Sequence, residues 1–276
     1  MDTRFWGPSG WCLLHLIAAA PQPNPKATKE WFDLLEFVLP CKYCRASFHD
    51  YTNLQPLTIA TIRNRDHFSR WLFDIHNRVN GKLRGQGLLI TPDPSWASIR
   101  DRYFKMQSGL CQGQPFIGWD FMTSVAYSTP AADYKPVPMD DTPEEQPTDL
   151  RVRNRYNLLT RDERIAKLKR WWALIPSILP CSAWRSAWQT ALVSDQMPLS
   201  AGKVAVMRWM WRVEERVCTG LKCPTPHPSL PALRRDVAAF ESPCGKEKKG
   251  RTCRTRKHKA RRQVMQSRRQ KRLAEG

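Results

Sequence analysis

Apolar residues over the first hundred positions recur at steps of three and four, the period of an amphipathic helix. Trp11, Leu14, His15 and Ala18 share one face, and Pro21-Gln22-Pro23-Asn24-Pro25 ends that helix. From Lys29 to Leu39 the apolar stripe is Trp31, Leu34, Leu35, Val38 and Leu39. Pro40 breaks it, which leaves Cys41 at the start of a third helix running through Phe48 and Tyr51. Phe68, Trp71, Leu72, Ile75 and Val79 mark a fourth. A short fifth is expected from Ser95, a good N-cap after Thr91-Pro92-Asp93-Pro94. No stretch alternates convincingly with the period of a strand. The expected fold is all-α, a bundle of helices with short connections.

Two of these helices carry candidate chemistry. Cys41-Lys42-Tyr43-Cys44 places two thiols one turn apart at a helix N-terminus. Free N–H groups and the positive end of the helix dipole favour a thiolate there. Taken alone, such a pair fits a redox dithiol, half a zinc site or two packing cysteines. Downstream, His76, Asn77 and Asn80 fall within about one helical turn, His76 and Asn80 stacked at i,i+4. Asn is a poor helix former, so two of them beside a histidine invite an explanation. Carboxamides and imidazole can donate and accept along the edge of a flat cofactor, although a polar surface helix would look similar.

In order and spacing, Trp6-Gly7-Pro8-Ser9-Gly10-Trp11 with His15, then the CxxC pair, then His76-Asn77-x-Val79-Asn80-x-x-Leu83, resemble the Erv/ALR family of FAD-linked sulfhydryl oxidases. The likeness covers roughly residues 4–105. It implies an Erv-type four-helix bundle with a short fifth helix that binds FAD and makes disulfides in protein dithiols, passing electrons to O2 to give H2O2. By resemblance Cys44 meets the flavin and Cys41 is the outer sulfur that exchanges with substrate. Arg4, Trp11, His15, Phe73, His76, Asn77, Val79, Asn80, Lys82 and Trp96 become the cofactor-binding set, with Lys82 facing phosphate and Trp96 stacking on adenine. The family's structural disulfide flanking the fourth and fifth helices is not supplied, because Cys111 is the only cysteine between residues 45 and 180. Many members use an extra shuttle dithiol, for which Cys244/Cys253 and Cys218/Cys223 are the candidates.

The second half repeats the first with its chemistry replaced. Lys169-Arg170-Trp171 through Leu179-Pro180-Cys181-Ser182-Ala183-Trp184 matches Lys29-Glu30-Trp31 through Cys44 without a gap, at an offset of 140. Arg208-Trp209 to Cys218 matches Arg70-Trp71 to Asn80, and Thr225-Pro226-His227-Pro228-Ser229 echoes Thr91 to Ser95. Trp119 to Pro130 corresponds to Gly10 to Pro21. Trp184 thus stands for Cys44, Glu214 for His76, Glu215 for Asn77 and Cys218 for Asn80. Apolar positions survived and the ligands did not. Erv-type domains commonly pair as homodimers, and quiescin-type oxidases pack a degenerate Erv repeat on the active one. The expected organisation is therefore an FAD-binding domain over 1–110 and a degenerate helical bundle over 111–240, an intramolecular pseudo-dimer. An acidic, proline-rich insertion at about 133–149 and a basic tail at 241–276 complete it.

Composition narrows the setting. The 276 residues carry a net charge of +20, and positions 246–276 hold fourteen Lys or Arg against two Glu. That tail is too polar to bury a core. It suits polyanion or nucleic-acid contact, nuclear targeting or plain solubility, and has no aromatic residues for base stacking. No secretory signal and no apolar run of about 18 residues is present, so a cytoplasmic product without a membrane span is expected, with the nucleus open through the tail. The cytosolic character and the duplication resemble the sulfhydryl oxidases of large DNA viruses. Nine cysteines is an odd count, and no metal is expected. The rival reading is a non-enzymatic, polyanion-binding helical scaffold around a structural or zinc-binding CxxC, with Cys218 and Cys223 the nearest second pair.

Overall fold

The computed structural model describes residues 2–110, 114–131, 133–134, 159–198 and 202–240, and every regular element among them is a helix. Cys111, nearly all of the acidic insertion and the basic tail with Cys244 and Cys253 lie outside the described residues. The helices of the first half are α1 (Thr3–Ala19), α2 (Pro25–Asp33), α3 (Leu35–Val38), α4 (Lys42–Leu54), α5 (Ile59–Arg63), α6 (Arg65–Gly85) and α7 (Trp96–Leu110). Those of the second are α8 (Trp119–Tyr127), α9 (Arg161–Ile178), α10 (Ser182–Ser194), α11 (Lys203–Gly220) and α12 (Leu230–Ala239). Among the described residues no helix is long and apolar enough to cross a membrane.

Local chemistry starts these helices where the sequence invites it. The Asp2 carboxylate accepts the Arg4 N–H at 2.8 Å, and Asn24 accepts that of Ala27 at 3.0 Å with Pro25 in the first turn. Asn64 accepts two N–H groups of α6, and Thr160 and Glu163 form a reciprocal capping box on α9. The structure departs from the sequence pattern in three places. The stripe from Lys29 to Leu39 is two helices meeting at Leu34, whose backbone stays helical at φ −72°. The fifth helix is not short, running 15 residues. The five-residue α5 is too brief for periodicity to reveal.

α1 is the hub. It packs on α6 and α7 in the first half and on α8 in the second, while α4 rests on α3 and α6. The close approach of α8 is set at Gly118, with φ 133°, where a Cβ would lie 2.9 Å from the Leu13 side chain. In the second half α10 packs on α9 and α11, and α11 on α8 and α12. One contiguous core runs through both halves. At its centre Trp31 stacks on Trp171, ring centroids 5.0 Å apart and both fully buried. At the rim Arg170 forks onto Glu30 at 2.5 and 2.6 Å. Both contacts join residues 140 apart. Local bonds recur at the same offset: Arg45 Nη1 donates to Leu39 O at 2.6 Å, and Arg185 Nη1 to Leu179 O at 2.9 Å.

Candidate active site

Pro40 ends the preceding helix, so Cys41 becomes the N-cap of α4 in extended conformation and Cys44 sits one turn in. Cys41 is buried at 2% exposure, whereas Cys44 is half-buried. Burial pushes the Cys41 thiol up. The Cys44 thiol, the Cys44 backbone N–H and the Arg45 guanidinium outweigh that and bring it down to about 7. The proton goes to Cys44, which is driven well above the ordinary range by its hydrogen bond to Cys41, by burial and by the neighbouring thiolate. Lys82 and Arg45 act against that rise. The arrangement is one thiolate held by one thiol, with two cations within electrostatic reach.

Lys82 reaches across from α6, its Nζ donating to Ser47 Oγ at 2.5 Å on the turn after Cys44. Its charge therefore acts beside the dithiol. α4 packs on α6, the helix that carries the histidine and asparagines, and Lys82 of α6 acts on Cys44 by charge. On that helix His76 stacks flat on Trp11, centroids 3.8 Å apart and planes at 8°, and shares a hydrogen bond of 3.1 Å with His15. Tyr103 of α7 closes the other side, stacked on His15 at 4.6 Å. Burial, then His76 and Arg102, push His15 down to about 3. Burial likewise lowers His76 to about 4, against the pull of Asp93. Both rings are neutral near pH 7.

Asn80 donates to Asp93 at 2.8 Å, and Arg84 also pairs with Asp93, which ties the loop before α7 to the end of α6. Phe73 and Trp96 meet at 5.4 Å with the Arg70 guanidinium over both rings. Asn77 and Val79 are half-buried on the same helix. Arg4 stands apart at the start of α1, forked onto Asp2. It lies seven residues, or about 10 Å along the helix, before Trp11. The structure thus gathers Trp11, His15, His76 and Asn80 with Asp93, sets Lys82 beside Cys44, and keeps Phe73 with Trp96 as a separate pair.

Arg45, Ser47, Arg102 and Tyr103 belong to this site and were not read from the sequence. Arg45 directly follows the CxxC and Tyr103 lies on an apolar helix face, but only the fold shows what either touches. A cleft of about 330 Å³ opens elsewhere, between Phe32, Glu36, Phe48, Asn53, Leu57 and Trp71. It shares no residue with the predicted site. Among the described residues no three His, Cys, Asp or Glu side chains converge as metal ligands would.

The donor set suits a flavin dinucleotide. Flat faces at Trp11, His76 and Tyr103 match a ring system, neutral imidazoles and carboxamides can serve its polar edge, and Lys82, Arg84 and Arg102 offer countercharge to a diphosphate.

A paired thiol and thiolate at a helix N-terminus, beside neutral histidines and stacked aromatics, define a helical protein built for dithiol chemistry. The model of the Erv1/Alr family matches residues 8–98. The probable FAD-linked sulfhydryl oxidase of Acanthamoeba polyphaga mimivirus is 33% identical over 98 residues, 34% of this chain and 68% of that protein. The FAD-linked sulfhydryl oxidase of African swine fever virus is 34% identical over 103 residues, 36% of this chain and 79% of the relative. The mitochondrial FAD-linked sulfhydryl oxidase of Saccharomyces cerevisiae is 30% identical over 88 residues, 30% of this chain and 45% of its own length. No solved structure matches at a significant level. The chain belongs to the Erv1/Alr family.

Proposed function

We propose that this protein is an FAD-linked thiol oxidase that introduces disulfides into protein dithiols through Cys41 and Cys44. The observation that carries the reading is the Cys41–Cys44 pair, with Cys41 lowered to about 7, at the start of a helix that packs on α6, whose His76 stacks on Trp11 and bonds His15. The viral and yeast relatives are FAD-linked sulfhydryl oxidases by name. When bound, FAD supplies a two-electron acceptor that oxygen can reoxidise, with H2O2 as product.

The protein's own residues do the following. A substrate thiolate attacks Cys41 of the Cys41–Cys44 disulfide, the S–S bond breaks, and Cys44 leaves. The second substrate thiol attacks the mixed disulfide and releases Cys41, completing the substrate's disulfide. Lys82 and Arg45 stabilise the negative charge on the sulfurs. His15 and His76, neutral and hydrogen-bonded to one another, present a flat polar edge without adding positive charge. That Lys82 of α6 acts on Cys44 by charge supports its role as the cofactor-facing sulfur. Exchange at the more buried Cys41 then requires a local opening at the α3–α4 connection, a motion of low cost at a chain break between helices.

The second half is a degenerate copy that takes the place of a dimer partner. Equivalent residues of two copies meet at a two-fold axis, and the contacts of Trp31 with Trp171 and Glu30 with Arg170 fit that geometry. Where Cys44 stands in the first half, Trp184 is fully buried with its Nε1 on Gln114 O. Where His76 stands, Glu214 is buried and bound to His227 at 2.8 Å. Side chains fill the copy's equivalent of the site, so it binds no flavin. The basic segment 246–276 binds polyanions through charge, with steep salt dependence.

Oxygen uptake with dithiothreitol tests the main reading. Wild-type protein consumes oxygen and forms H2O2, and Cys41→Ser and Cys44→Ser fall to background. Unchanged uptake in Cys44→Ser would refute it. In the same variant the Cys41 thiolate should open glutathione disulfide, releasing one glutathione and keeping the other, detectable by mass, because no Cys44 is there to displace it. Linkage at Cys44 in Cys41→Ser alone would reverse the two roles.

A further inference from the structure

The end of α11 carries two thiols with no part in the reaction above. α11 closes in a Schellman arrangement: the Cys223 N–H donates to Cys218 O at 3.0 Å and the Lys222 N–H to Thr219 O at 3.1 Å. Lys222 sits at φ 54°, the only non-glycine residue with positive φ among the described residues. In this motif the first and last residues of the closed turn bring their side chains together, commonly as an apolar contact. Here both are cysteines. Cys218 is buried at 1% exposure in the core, and Cys223 is half-buried and packs against it. Burial first, and the neighbouring Cys223 second, push the Cys218 thiol up. A buried thiol of that kind is inert toward outside reagents unless a neighbouring sulfur draws it into a bond.

We infer that Cys218 and Cys223 form a second redox site, a disulfide closing the turn over residues 218–223 and made by exchange with the Cys41–Cys44 disulfide of another molecule of this protein. The inference rests on the thiol-oxidase reading for its oxidant and on the turn for its geometry. α11 packs chiefly on α8, α10 and α12, away from the dithiol helix, which makes the exchange intermolecular. Cys223, the accessible sulfur, attacks Cys41 as a thiolate; the Cys41–Cys44 bond breaks and Cys44 leaves. Cys218, deprotonated, then attacks the Cys223 sulfur and releases Cys41. One disulfide forms as one is reduced, and the two thiol protons end on Cys41 and Cys44. The bond from the Cys223 N–H to Cys218 O folds the two residues together across the turn, which is the approach that closing a disulfide there requires.

The ring has a structural consequence. It pins the segment that leaves α11 and carries His227 back onto Glu214, one helical turn before Cys218. In the first half the corresponding loop is held by Asn80 and Arg84 on Asp93 instead.

Trypsin provides a direct test because it cuts after Lys222, inside the ring. Full-length flavin-loaded protein is reduced anaerobically, freed of reductant, exposed to air, quenched with acid, alkylated and digested. Wild type should give the peptides on either side of Lys222 joined and two hydrogens lighter than their sum. Cys41→Ser/Cys44→Ser should give them separate and alkylated, and joined once diamide replaces the missing oxidant. Separate peptides in wild type even with diamide would overturn the site. Joining at the wild-type rate in the double variant would overturn the route. Wild type joined by diamide but not by air would leave the site standing and count against the oxidase reading.

Discussion

At the scale of single residues, the site works by placing protons. Cys41 is lowered to about 7 and Cys44 raised, so the reduced pair shares one proton and one negative charge. Alkylation of Cys41 by iodoacetamide should follow a titration with its midpoint near 7, slow below it and fast above. In Cys44→Ala the midpoint should rise, because the thiol donor is gone while burial remains. A midpoint unmoved by that change would show that Arg45 alone sets the thiolate. His15 and His76 make the opposite demand. Their folded values of about 3 and 4 lie below the ordinary value of 6.5. Stability from keeping them neutral is complete above 6.5 and is lost as pH falls toward 4, since the unfolded chain takes up the protons first. The melting temperature should therefore drop between pH 6.5 and 4, and drop less in His15→Gln/His76→Gln. Equal acid sensitivity in both proteins would contradict the assignment.

At the scale of elements, the seam between the halves rests on aromatic burial more than on charge. Trp31 and Trp171 are fully buried against one another, and truncating either to Ala should cost about 3–5 kcal/mol. The Glu30–Arg170 pair is exposed on both sides, so Glu30→Ala or Arg170→Ala should cost at most about 1 kcal/mol. Urea unfolding of the four variants ranks the two effects, and a larger loss from the ion pair would reverse the argument. Much of this architecture was legible in the sequence. Periodicity placed the dithiol helix and the His76 helix, and residues at the 140-residue offset meet in the structure as Trp31 with Trp171 and Glu30 with Arg170. Contacts between distant segments were not legible. Nothing local says that Lys82 turns to Ser47, that Tyr103 covers His15, or that the two seam tryptophans face each other. The break at Leu34 and the short α5 escaped for a different reason, since each spans too few residues to leave a period.

At the scale of the whole molecule, the second half supports the first. α1 buries Trp6, Leu13 and Gly10 against α8, and Phe5 stacks on Phe240 at 4.8 Å. A fragment ending at residue 110 would expose that face together with Trp31. It should self-associate or aggregate on size-exclusion chromatography, whereas a chain lacking only 241–276 should elute as wild type does. A well-folded monomer from the short fragment would mean that the second half is dispensable. The central claim remains the electron path from Cys41 and Cys44. Its most direct measurement is the visible flavin band of the purified protein under anaerobic dithiothreitol and then air. The band should bleach and return in wild type and stay unbleached in Cys44→Ser. A protein without that band, or a Cys44→Ser variant that bleaches as fast as wild type, would contradict the account.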